Sequence, residues 1–134
     1  MVKVMSFGTF DGFHDGHEYY LKEAKKLGSS LVVVIALDQT VFKVKGRLPR
    51  RDQEHRKREV EALGIADKVI LGNPGDKLKV IIDEKPDILA LGYDQTAFID
   101  SLENLKSFGL APNVVRIPSF HPDIYKSSKL NDKI

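Results

Sequence analysis

The chain has 134 residues, 42% of them hydrophobic, no cysteine and a formal net charge of +2 at pH 7. This length and apolar content suit a single domain with a two-sided core and exclude a disordered chain. The lack of cysteine excludes a disulfide framework and a thiolate zinc site, and no apolar run approaches the ~20 residues of a membrane span.

Val2 to Phe7 is an apolar, strand-like run that the chain enters at once, with no apolar core of a signal peptide before it. A cytoplasmic protein is the expectation. Glu18 to Leu27 carries Tyr20, Leu21, Ala24 and Leu27 at helical spacing, with Gly28 as a natural stop. Leu31 to Leu37 is unbroken, short and rich in β-branched residues, the pattern of a strand buried on both faces of a parallel sheet. A basic loop broken by Gly46 and Pro49 follows, and Asp52 is placed to cap a helix running to Leu63.

Lys68 to Leu71 reads as a third strand, and Gly72-Asn73-Pro74-Gly75 as a turn. Asp76 opens a helix containing Leu78, Val80, Ile81 and Ile82, stopped before Pro86. Asp87 to Leu91 is a fourth strand, Phe98 to Phe108 a helix ended by Gly109, and Asn113 to Ile117 a fifth strand. Ser127 to Leu130 opens a last short helix.

Strands and helices that alternate over short connections call for an α/β fold, a parallel sheet with helices on both faces. The expected architecture is a single Rossmann-like domain, doubly wound, with five parallel strands in the order 3-2-1-4-5. In that order the first and fourth strands are neighbours at the point where the winding reverses. Ligands bind in the crevice at the carboxyl ends of the strands there. The loops after those two strands, Gly8 to His17 and Gly92-Tyr93-Asp94-Gln95, are also the most unusual in the chain.

The first of these loops, Gly8-Thr9-Phe10-Asp11-Gly12-Phe13-His14-Asp15-Gly16-His17, joins a strand to a helix. Its glycines let the backbone approach a ligand, and the free N–H groups of the first helical turn favour an anion. His14 and His17, three apart at a helix start, are placed to face one ligand. With Asp11 or Asp15 they also make a competing set of metal ligands. Asp11 has a second reading, in which it bonds backbone and holds the loop closed.

Charge is uneven. Between Lys43 and Arg58 lie eight lysines and arginines against Asp52 and Glu54, a local excess of six, so the rest of the chain is net acidic. A basic island of this kind points to a local polyanionic ligand. A nucleic-acid interface is more often basic over a whole face.

Gly8-Thr9-Phe10-Asp11 with His14-Asp15-Gly16-His17 resembles the G-T-F-D-x-x-H-x-G-H signature of the small cytidylyltransferase-like nucleotidyltransferases, with every fixed position filled. The resemblance implies transfer of a nucleotidyl group from a nucleoside triphosphate to a phosphorylated acceptor. It assigns His14 and His17 to the triphosphate, and makes Thr9 and Phe10 a wall of the nucleotide site, with Asp15 and Gly16 at the helix mouth. Lys45 and Arg47 match a cationic pair that binds phosphates of nucleotide and acceptor, with Lys45 counted as catalytic. Glu54-His55-Arg56-Lys57 matches the helix that follows, from which Arg56 would reach the acceptor. Asp94 matches a carboxylate that bonds sugar or base, and Ser127 and Ser128 match hydroxyls that bind triphosphate oxygens. Magnesium would bridge the triphosphate.

Within the family, Gly92-Tyr93-Asp94-Gln95, Lys45-Gly46-Arg47 and Tyr125-Lys126-Ser127-Ser128-Lys129 look like the archaeal FAD synthases, with Tyr125 near the adenine or the flavin. That branch implies ATP and FMN as substrates. Cytidylyl transfer from CTP to glycerol phosphate or another phosphorylated alcohol is the first alternative, although the Arg-Thr-Glu-Gly run of that branch is replaced here by Ser119 to Tyr125. A non-catalytic nucleotide sensor or nucleic-acid-binding protein is the second. The family also implies a homodimer.

Overall fold

The computed structural model describes residues 2–11, 15–73, 78–92 and 105–117. Five parallel strands form one sheet: β1 (Lys3–Gly8), β2 (Ser30–Ile35), β3 (Lys68–Leu71), β4 (Ile88–Gly92) and β5 (Asn113–Ile117). Their order is β3-β2-β1-β4-β5, the doubly wound arrangement expected from the alternation of elements. β1 pairs with β2 along its whole length, from Lys3↔Ser30 to Gly8↔Ile35. Against β4 it pairs over a shorter stretch, Val4↔Ile88 to Ser6↔Ala90.

Strand alternation sorts the apolar side chains to two faces. Leu31, Val33 and Ile35 of β2 join Val4 and Ala90 in one core, closed by Leu21 and Ala24 of α1 (Asp15–Lys25) and Val60 of α3 (Gln53–Ala62). Val32 and Val34 face the other way, with Met5, Phe7, Leu89 and Leu91, and meet Val80 and Ile81 of α4 (Leu78–Glu84) and Leu105. An apolar run that is buried on both sides is what a central parallel strand requires. α1 and α3 lie on one face and α4 on the other, as right-handed crossovers demand of this order.

Two differences from the sequence reading bear on the site. α1 begins at Asp15 and ends at Lys25, not Glu18 to Leu27. The segment after β2, read from sequence as a basic loop, opens with a helix, α2 (Asp38–Lys45), closed by Gly46 at φ 78°. Its markers were in plain view. Asp38 stands in the first turn, Lys43 and Lys45 stand in the last, and a left-handed glycine follows. The density of charge hid them. The Asp52 cap is present as expected, its carboxylate accepting the His55 N–H at 2.8 Å. Of the helix expected over Phe98 to Phe108, the described part is Leu105 followed by a 3₁₀ turn, Lys106–Phe108.

Candidate active site

The carboxyl ends of β1 and β4 part after Ser6↔Ala90. Tyr20 of α1 fills the opening. Its hydroxyl donates to the Ala90 carbonyl at 2.6 Å and lies 3.4 Å from the Phe7 amide. A side-chain hydroxyl thus takes the place of the next ladder rung and holds the crevice at a fixed width, with its backbone groups satisfied.

Above this, the chain leaves β1 through Gly8, Thr9 and Phe10. Phe10 adopts a left-handed backbone, φ 55°, which is uncommon for a bulky residue and costs ~1–3 kcal/mol. The reversal turns its ring back over Gly8, where an added Cβ would lie 2.6 Å from the ring. The ring is 3% exposed, stacks on Tyr20 at 6.5 Å and meets the His17 imidazole edge-on at 5.2 Å. Phe10 was expected to offer an apolar wall to the nucleotide. Instead its ring belongs to the core, where it supports His17 from beneath. The physical reason is burial: an aromatic ring gains more by filling the space over Gly8 than by facing water.

His17 and Gly16 sit in the first turn of α1, at the positive end of the helix dipole. The backbone of Asp15 is the first residue of that helix. His14 lies outside the described residues, as do Asp94, Tyr125, Ser127 and Ser128. Asp94 follows Gly92, the last residue of β4, by two positions, and β4 is the neighbour of β1.

Among the described residues Arg56 is the largest fully buried side chain, at 0% exposure, and all its nitrogens are engaged. Nη1 donates to the Thr9 carbonyl at 2.8 Å, Nη2 to Asp38 Oδ1 at 2.7 Å, and Nε to the Arg51 carbonyl at 2.9 Å. The sequence expectation that Arg56 reaches the acceptor is corrected by this arrangement. Its guanidinium, a planar fork suited to several acceptors at once, is spent on joining the signature loop to α2 and to the segment before α3. Asp38, which the sequence reading passed over, is the partner carboxylate. An acid at the start of a helix that directly follows a buried strand was the available signal.

Asp11 makes the second tie. Its carboxylate accepts the Arg50 N–H at 2.7 Å and the Arg51 N–H at 3.0 Å. Burial pushes its carboxyl up, but the two amides and the charges of Arg56 and Arg50 outweigh that and hold it below the ordinary aspartate value. The backbone-bonding role weighed for Asp11 is therefore present, with a difference. It fastens the basic segment, across 39 residues of sequence, rather than its own loop. Between the ties, Lys45 ends α2 and Arg47 follows Gly46, both exposed, and neither side chain makes a hydrogen bond or ion pair among the described residues.

The structure thus brings Thr9, Phe10, Gly16 and His17 together at the mouth of one crevice and fastens beside them the segment that carries Lys45 and Arg47. Fixed donors and cations around a helix N-terminus are the kind of arrangement that a polyanionic ligand requires. Among the described residues no three His, Asp or Glu side chains group as a metal cage, and no helix is long and apolar enough to cross a membrane.

Comparison with known proteins agrees with this geometry. The pattern that defines the cytidylyltransferase-like family matches residues 5–133. A curated FAD synthase of Thermoplasma volcanium is 41% identical over 135 residues, covering 100% of this chain and 94% of that protein. A second, from Archaeoglobus profundus, is 46% identical over 130 residues, covering 96% and 82%. A crystal structure described as the lipopolysaccharide core biosynthesis protein from Thermoplasma volcanium superposes with a TM-score of 0.83 at 41% identity, over 90% of this chain and 98% of that one. With signature, sheet order and full-length similarity in accord, the chain belongs to the cytidylyltransferase-like family of nucleotidyltransferases.

Proposed function

We propose that the protein is an FAD synthase, transferring AMP from ATP to FMN with release of pyrophosphate. The observation that carries this reading is the similarity to curated FAD synthases along the whole chain, at 41% identity for Thermoplasma volcanium and 46% for Archaeoglobus profundus. In the reaction an oxygen of the FMN phosphate attacks the α-phosphorus of ATP. The bond from that phosphorus to the bridging oxygen breaks, and pyrophosphate leaves with the electron pair. The attacking group is already anionic, so no covalent nucleophile is needed. The work of the protein is alignment and charge stabilisation.

In this reading His14 and His17 donate to the triphosphate at the helix mouth, with Asp15 and Gly16 forming the turn that admits it. Thr9 contributes backbone, Lys45 bears on the reacting phosphates, and Arg47 on the acceptor phosphate. Asp94 contacts the nucleoside, Tyr125 lies against adenine or flavin, and Ser127 and Ser128 bind triphosphate oxygens. Arg56 acts as a positioning residue through Thr9. The described residues do not form a three-donor cage for a divalent ion. Magnesium would be carried by the triphosphate, where it offsets charge.

Purified protein incubated with ATP and FMN should yield FAD and pyrophosphate in equal amounts, resolved by chromatography. No FAD from that pair, with CDP-linked product from CTP and glycerol phosphate, would replace this reading by the cytidylyl one.

A further inference from the structure

Outside the crevice, the described residues line an open groove of about 730 Å³ over the carboxyl ends of β2 and β3. Its apolar lining is Leu37, Leu48 and Leu71, and its polar lining includes Gln39, Asp52 and Glu54. We infer that this groove receives the isoalloxazine ring of the acceptor. The inference rests on the FAD-synthase reading and adds to it the place and the recognition of the flavin.

Position comes first. β3 lies two strands from β1, about 10 Å across the sheet, and both end at the same edge. In-line displacement requires the attacking and leaving oxygens on opposite sides of the α-phosphorus. The acceptor oxygen therefore approaches on the side away from the pyrophosphate, and exposed Lys45 and Arg47, which bear on the reacting phosphates in this reading, lie on the segment that runs into the groove at Leu48. The groove is also bound to the signature loop: Asp38, in its wall, shares the Arg56 guanidinium with the Thr9 carbonyl.

Size and charge narrow the occupant. The open groove has room for a ligand of cofactor size, and its three leucines offer an apolar surface that the hydroxyls of a three-carbon alcohol would not match. Asp52 and Glu54 repel a phosphate, so an anionic end is turned away, toward exposed Lys45 and Arg47 just before Leu48. A neutral ring with an apolar body and a polar edge matches what remains. Leu48 is 63% exposed and offers its side chain to such a ring. Gln53 Oε1 accepts the Asp38 N–H at 2.9 Å, which leaves its amide nitrogen as a donor for a ring carbonyl.

The experiment is a fluorescence titration of the full chain with FMN and with riboflavin, which keeps the ring but lacks the phosphate, alongside FAD-forming kinetics. Leu48→Asp sets a carboxylate against the ring from an exposed loop, so folding is spared. It should weaken FMN and riboflavin binding by the same factor, about tenfold or more, and leave KM for ATP unchanged. Gln39→Ala, also at an exposed position, should weaken both flavins to a smaller, equal extent. Lys45→Ala should weaken FMN and not riboflavin. If the wild-type protein makes FAD but neither groove substitution changes riboflavin or FMN affinity, the ring lies elsewhere and the inference is overturned while the enzyme reading stands. If the wild-type protein neither binds nor converts FMN, the enzyme reading falls and the inference falls with it.

Discussion

The two ends of the sheet use the same chemistry for opposite purposes. At the amino ends, carboxylates fasten onto the strands themselves. Asp87 accepts the Lys3 N–H at 2.9 Å, and Asp67 accepts the Leu31 N–H at 2.8 Å and pairs with Lys25. Glu84 holds both Lys3 and Lys68. At the carboxyl ends, carboxylates and a buried arginine fasten loop to loop. Asp11 holds the backbone of Arg50 and Arg51, and Arg56 joins Thr9, Asp38 and Arg51. The first pattern seals one end of the molecule. The second fixes the position of the side chains around the strand ends. A stabilised end and a working end can therefore be told apart by what their charged groups are tied to.

The sharpest way to break this distinction is Arg56→Met. Removing the buried guanidinium leaves two carbonyls and the part-exposed Asp38 carboxylate without their donor, so unfolding free energy should fall by about 2–4 kcal/mol in urea denaturation. Nucleotidyl transfer should fall beyond what the unfolded fraction accounts for. Arg56→Lys should restore only part of it, because an ammonium does not reproduce the fork. Next is Lys45→Ala, which should lower kcat/KM by about a hundredfold with no change in melting temperature, as expected for an exposed cation acting on a transition state. Gly8→Ala forces the Phe10 ring to move and should cost about 1–3 kcal/mol, with a fall in kcat because His17 rests on that ring. Smallest is Asp67→Asn at the sealed end, which should change stability by about 1 kcal/mol or less and leave kcat unchanged.

Acid sharpens the same comparison. Lys25 and the Leu31 amide lower the Asp67 carboxyl, Lys68 and Lys3 lower that of Glu84 against the opposing effect of burial, and Asp11 is lowered as described above. A carboxyl held below its unfolded value adds stability above that unfolded value, and the contribution disappears as pH falls through the folded value. The wild-type protein should therefore lose stability as pH falls below about 4. Asp11→Asn should flatten part of that loss in pH-dependent urea melts. It should also reduce turnover at neutral pH, where Asp67→Asn does not.

Much of this organisation could be read from the residues. Leu31 to Ile35 is apolar throughout, and only a strand with a helix layer on each side buries such a run, so β2 sits in the sheet interior. The Gly8 to His17 spacing marked the strand-to-helix turn where a polyphosphate would bind. The basic segment was legible only as a charge excess. Arg50, Arg51, Arg56, Lys45 and Arg47 look alike in sequence, and nothing local separates the side chain that is buried from those that stay in water.

The sequence by itself determined the order of the strands, the two-faced core and the glycine-rich turn between β1 and α1, because periodicity and glycine placement act over a few residues. Only the tertiary structure decided that Phe10 turns inward under His17, that Arg56 joins three segments, and that Asp11 holds amides 39 positions away. Those outcomes depend on which segments share a space once the sheet has formed. A buried cation takes whatever carbonyls and carboxylates the fold brings within reach, and that set is a property of the folded chain.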